Sequence, residues 1–166
     1  MNGREDKYLW AGPYLYSRQM VAVRMDSEIQ KLKDLTGKMI AVQETSKAEE
    51  YFLRSDFEGI PDVSLVYCFS NMDEVFAALR KNYVEAICGH ESALISFINT
   101  APDEYRLLDE SFLYSALGVA FDIQYDEECV EKLFKTLGDM MNDGTIAAIV
   151  GKYGLDAEKS LGRGND

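Results

Sequence analysis

The sequence predicts an α/β fold, a mostly parallel sheet flanked by helices. Two observations carry this. From 19 to 109, short β-rich apolar runs alternate with stretches of helical periodicity at tight spacing, which is how strand–helix–strand units read in sequence. From 126 to 154 that alternation stops, and two helical stretches follow one another around Asp143-Gly144 with no strand between them.

Each element has a local reason. "QMVAVR" (19–24) is apolar and β-rich, a strand. "DSEIQKLKDLTGK" (26–38) reads as a short helical turn closed by Gly37; its alternating charges around sparse apolar positions make a solvated face. "MIAV" (39–42) is a buried strand. It runs into a helix over 46–57, with Ser46 as cap, Glu49 three residues on, Ala48, Tyr51 and Phe52 inward, and Phe57 next in the pattern. "IPDVSLVYCF" (60–69) enters a third strand, and Ser70 caps a helix with Val75, Phe76 and Leu79 at helical spacing. "YVEAIC" (83–88) is the next strand and "HESALISFIN" (90–99) the next helix. "YRLLD" (105–109) and "LGVAFD" (117–122) read as two further strands, and the polar tail after 155 as frayed.

In such sheets, ligands bind at the carboxyl ends of strands, where helix N-termini gather. Three junctions qualify: Gln43–Lys47, Phe69–Met72 and Cys88–Ser92. Thr45 and Ser46 offer hydroxyls and N–H groups at a helix start. They read equally as plain caps and as an anion contact, and the two are compatible. Lys47 sits in the first helical turn, unfavourable beside the positive end of the helix dipole unless an anion is near. His90 reads equally as a capping or surface residue and as a ligand contact, its neutral ring supplying one donor and one acceptor.

Composition narrows the function. The chain has 166 residues, 47% apolar and 28% charged, within the range of globular proteins. A net charge of −12 argues against nucleic-acid or anionic-membrane partners, which need a positive surface. No apolar run approaches the ~20 residues of a membrane span, and the N-terminus lacks the apolar core of a signal peptide. Cys68, Cys88 and Cys129 have no metal-ligand spacing and read as buried small apolar side chains, with no disulfide framework. There is one histidine, no G-x-S-x-G elbow, no phosphate-binding glycine loop and no Cys/His cluster. The residues thus give no positive case for catalysis, and neither a cofactor nor a metal is expected.

Several ordered stretches carry a resemblance: "REDKYLWAGPY", "SEIQKLKDLTGKMIAVQ", "MDEVFAALRKNYVEAI", "LGVAF" and "LFKTLGDMMNDGTIAAIVGKYG". Over about 4–154 the chain resembles the extracytoplasmic solute-binding proteins that bind polar amino acids, the receptors of amino-acid ABC importers and some sensor domains of membrane-bound signalling proteins. The resemblance implies two α/β lobes joined by two crossing segments, with the ligand clamped between them by hinged closure. It places 1–17 as a remnant of lobe one and the first hinge, 18–116 as a periplasmic-binding-protein-like lobe two, 117–155 as the return hinge strand and C-terminal helices of an incomplete lobe one, and 156–166 as a flexible tail. The N-terminal part of lobe one is expected to be missing. The apolar faces of the C-terminal helices (Val130, Leu133, Phe134, Leu137, Ile146, Ile149, Val150) then need a partner, which a homodimer would supply.

Carried over residue by residue, the resemblance makes Arg4 the anchor of a ligand carboxylate, Thr45-Ser46 with Gln43 and Lys47 the helix start facing it, and Tyr14, Tyr16, Leu117 and Gly118 the hinge. The family's acid that pairs with a ligand ammonium falls near His90. A histidine lacks that fixed negative charge, and Glu91 takes the part if the turn shifts by one residue. Threonine stands at 45 where the family has glycine, which narrows backbone freedom. The implied partners are a small amino acid or carboxylate and, for the whole protein, a membrane permease or a signalling partner. The implied location is extracytoplasmic. Dehydratase-like enzymes on the same fold are the remaining alternative.

Overall fold

The computed structural model describes residues 7–54 and 59–162. Arg4 and Phe57 lie outside them. The described elements run β1 (Tyr8–Arg24), a 3-10 turn (Leu32–Leu35), β2 (Met39–Gln43), α1 (Lys47–Leu53), β3 (Leu65–Phe69), α2 (Met72–Arg80), β4 (Ala86–His90), α3 (Glu91–Ile98), β5 (Tyr105–Asp122), α4 (Glu127–Asn142), α5 (Thr145–Lys152) and α6 (Ala157–Ser160). The strands form one sheet in the order β3-β2-β4-β1-β5. The α/β expectation holds, with a mixed sheet: β2 pairs in parallel with β3 and β4, whereas β1 pairs antiparallel with β4.

The chain divides into two compact units, residues 18–113 and residues 1–17 with 114–166. In the first, alternate residues along each strand point to opposite faces, so the sheet separates two cores. Val21, Val23, Ile40, Val42, Ala86 and Cys88 face α1, where Ala48, Tyr51 and Phe52 pack against them. Met20, Ala22, Ala41 and Ile87 face the other side, with Val75, Ala78 and Leu79 of α2 and Leu94 and Phe97 of α3. Full burial of each aliphatic side chain contributes about 1.5–3 kcal/mol.

Several boundaries differ from the sequence reading. β1 begins at Tyr8, well before 19, because its aromatic-rich first half is also extended. The two strands expected at 105–109 and 117–122 are one continuous strand, β5. β4 starts three residues late: Asn82 takes a left-handed turn (φ 58°) after α2, and the ladder to β1 begins only at Ala86. The short helical turn expected before β2 is present as the 3-10 turn Leu32–Leu35, followed by Gly37 at φ 73°, and side chains bonded to the backbone hold the segment around it. Arg106 donates to the carbonyls of Ser27 and Ile29, and Asp34 accepts from the N–H groups of Gln30 and Lys31.

The second unit has its own small core of Ile146, Val150 and Leu161, against which Tyr14, Leu15, Leu137, Met140, Met141 and Leu155 pack. Of the apolar positions expected to need a partner, Val130, Ile146 and Val150 are buried within the unit, while Phe134 and Ile149 remain 56% and 43% exposed. The polar tail forms the short helix α6, where Ser160 and Leu161 are buried. Gly12 approaches Gly118 so closely that a Cβ on Gly12 would lie 2.9 Å from the Gly118 Cα. Cys88 is buried and Cys68 partly so, as their strand contexts predict; Cys129, expected buried, is exposed in the first turn of α4, where Val130 takes the inward position.

Candidate functional site

The parallel pairing of β2 with β3 and β4 sends the three strand ends, Gln43, Phe69 and His90, to one edge of the first unit. Each then enters a helix: α1, α2 and α3. Because β1 is antiparallel to β4, it enters the sheet at this same edge, with Gln19 directly opposite His90. The expected junctions therefore do converge.

At the β2–α1 junction the chain supplies its own partners. The N–H of Glu49 donates to Ser46 Oγ at 3.2 Å, and the N–H of Thr45 donates to Glu49 Oε2 at 2.8 Å, so cap and carboxylate serve each other. Lys47 Nζ is 2.6 Å from Glu50 Oε2, so the anion that offsets its position at the dipole end is Glu50. Thr45 holds φ at +57°, a left-handed conformation that is an outlier for a β-branched residue. This is the backbone freedom that glycine would provide. Gln43 Nε2 donates to the Ser70 carbonyl at 3.4 Å, tying the first junction to the second. There Asn71 caps α2 by accepting from the N–H of Glu74, whose carboxylate accepts from Ser70 Oγ.

At the third junction His90 ends β4 and precedes the first residue of α3, but its side chain does not cap that helix. Desolvation holds its pKa below the usual 6.5, partly opposed by the Glu91 carboxylate. Glu91 is buried, and its partner is one the sequence reading missed. Arg18 donates from Nε to Glu91 Oε2 at 2.9 Å and from Nη2 to Oε1, a bidentate pair. Both side chains are almost fully buried, 6% and 7% exposed. The pairing register explains the meeting: the β1–β4 ladder ends at Gln19 opposite His90, so Arg18 and Glu91 are the next residues along each chain, Glu91 being the first of α3. A charge placed just before an apolar run, between Ser17 and Gln19 that are also buried, was the available signal.

The edge thus brings together Gln43, Thr45, Ser46, Lys47, His90 and Glu91 on one unit, a set of hydrogen-bond donors and acceptors. Burial, and then Glu49, push the Cys68 thiol up to about 11, and burial raises Cys88 further. Among the described residues no cluster of His, Cys, Asp or Glu is arranged to hold a metal, and no helix is long and apolar enough to cross a membrane. Of the expected hinge residues, Leu117 and Gly118 lie against Gly12, Tyr14 packs into the second unit's core and Tyr16 lies beneath Gly162.

This fold is periplasmic-binding-protein-like, and solved structures that share it include amino-acid-binding proteins and substrate-binding proteins of amino acid ABC transporters. An ancestral arginine-binding protein bound to glutamine is 25% identical with a TM-score of 0.69, over 92% of this chain and 66% of that one. The substrate-binding protein of an amino acid ABC transporter is 23% identical with a TM-score of 0.67, over 92% and 66%. The cysteine-binding protein from Campylobacter jejuni is 18% identical with a TM-score of 0.75, over 97% and 65%. The chain therefore spans slightly less than two thirds of each. These neighbours are binding proteins rather than enzymes. No protein-family model and no curated protein matches the chain.

Proposed function

We propose that this chain binds a small polar solute, an amino acid or a related carboxylate, at the strand-end edge of residues 18–113. Binding would proceed by hinged closure about β1 and β5, the two strands that run from one unit into the other. In the whole protein, closure would present the solute to the permease of an ABC importer on the extracytoplasmic side, with no covalent step. The observation that carries the reading is the convergence of Gln43, Phe69 and His90, each opening into a helix, on one edge. The structural neighbours support it. A homodimer burying the exposed Phe134 and Ile149 is a subsidiary part of the proposal; a monodisperse monomer by light scattering would sink that part.

The test is a thermal-shift screen of the chain against the amino acids and small carboxylates. A ligand that binds only the folded state at a hundred times its Kd adds about 2.7 kcal/mol. A melting temperature that no member of the panel raises would overturn the proposal.

A further inference from the structure

At the end of the sheet away from Gln43 and His90, β1 finishes at Arg24, β5 begins at Tyr105 and α2 ends at Arg80. These three residues line a cavity of about 560 Å³ together with Asp26, Asp103 and Glu104, a size usual for small-molecule sites. The cavity lies wholly within the unit of residues 18–113. We propose that it is a second binding site, one that takes a zwitterion whose carboxylate meets Arg24 and Arg80 and whose ammonium meets Asp26 and Asp103. It is separate from the strand-end edge and does not depend on binding there.

The two guanidiniums are held in place without spending their charge. Arg24 is half-buried, and its Nη1 donates to the carbonyls of Leu79 at 3.2 Å and Val84 at 3.4 Å. A guanidinium has five N–H donors, so those on Nε and Nη2 remain for a ligand. Arg80 lies over the Phe97 ring, its Cζ 5.0 Å from the centroid, and Phe97 packs in turn on Tyr105 at 4.6 Å. Planar stacking of this kind orients an arginine while leaving its donors open. Among the described residues neither arginine has a carboxylate within ion-pair distance, although the chain carries a net charge of −12. Both act on one phenol: burial and then Glu104 push the Tyr105 pKa up, and Arg80 and Arg24 oppose them. Asp26 and Asp103 are exposed at the cavity and supply the opposite sign. With two cations and three anions around it, the cavity is close to neutral and repels a lone anion or a lone cation in part. A ligand that carries both charges is complementary to both sets of side chains. The start of α1 differs, because Glu49 and Glu50 already occupy its donors.

The experiment is a titration of the 166-residue chain, followed by the backbone amide resonances of Arg24, Asn82 and Tyr105. The zwitterionic probes are diglycine and 4-aminobutyrate; acetate and ethylammonium are the singly charged controls. The zwitterions are expected to shift these resonances saturably, with a Kd about fivefold or more below that of either control, since a second ion pair is made. Arg80→Gln changes an exposed side chain and is expected to raise that Kd about threefold. If this variant does not fold, Asp103→Asn carries the same expectation at the ammonium end. An unchanged Kd in the folded variant overturns the proposal. So does acetate or ethylammonium binding as tightly as the zwitterions, which would make the cavity a site for one sign only. Shifts confined to Gln43–Lys47 and His90 overturn it too, while leaving binding at the strand-end edge intact. Shifts at Arg24, Asn82 and Tyr105 with none at that edge support the proposal and leave the edge reading without support from these probes.

Discussion

The Thr45 N–H donates to Glu49 Oε2 at 2.8 Å while the Glu49 N–H donates to Ser46 Oγ, so the start of α1 is closed by its own side chains. Removing either side chain orphans a backbone donor. Ser46→Ala and Glu49→Ala are each expected to lower stability by about 1 kcal/mol in urea titrations. Because the two act as one device, the double variant should lose less than the sum of the singles. Strict additivity would mean the two bonds are independent.

Thr45 sits at φ +57° with a β-branched side chain. Left-handed backbone costs a non-glycine residue about 1–3 kcal/mol, while glycine adds about 0.4–1 kcal/mol of unfolded-state entropy. The balance favours glycine, so Thr45→Gly should stabilise the chain by about 1 kcal/mol. A lower denaturation midpoint in this variant would show that the threonine side chain contributes more than its strain removes.

The Arg18–Glu91 pair is buried on both sides. Deleting one partner leaves the other charge without water or counter-ion. Glu91→Gln is therefore expected to lower stability by about 3–5 kcal/mol. Arg18→Met combined with Glu91→Leu should be much milder than either change alone, since no buried charge is left behind. A double variant as unstable as the single one would place the cost in packing instead.

His90 has a folded-state pKa below its ordinary 6.5 because burial disfavours the imidazolium. As pH falls from about 6.5, the unfolded chain takes up the proton first. Stability from this group is thus fully present above the unfolded pKa and declines as pH drops through the folded value. A stability–pH profile of wild type should be steeper in that window than that of His90→Gln. Identical slopes would remove His90 as the source.

A side chain at Gly12 would place its Cβ 2.9 Å from the Gly118 Cα, and φ there is +134°. Backbone cannot yield as a flexible side chain can. Gly12→Ala is expected to lower the stability of the unit containing it by roughly 2 kcal/mol or more, read by hydrogen exchange on β5. Unchanged protection would mean the two strands separate at little cost.

Much of the architecture was legible because periodicity is local. The alternation of "MIAV", the helix after Ser46 and "HESALISFIN" follow from residues within a few positions of one another, as do the three junctions on the edge. Strand lengths were less legible. The aromatic stretch before 19 and the stretch 110–116 carry mixed patterns, and only pairing with neighbours makes them parts of β1 and β5. The site shows the same limit: His90 and Glu91 were visible at a strand–helix junction, whereas Arg18 was a charge beside a strand with nothing nearby to explain it.

The sequence by itself determined the central part of each strand and helix and the three strand–helix junctions, because capping, turn chemistry and apolar spacing act over a few residues. The tertiary structure alone decided what the polar groups on that edge are free to do. Arg18 and Glu91 are 73 positions apart. They meet only because β1 runs antiparallel to β4 in a register that puts Gln19 opposite His90. Such a meeting is set by strand pairing and the cost of burying charge, which no local pattern records.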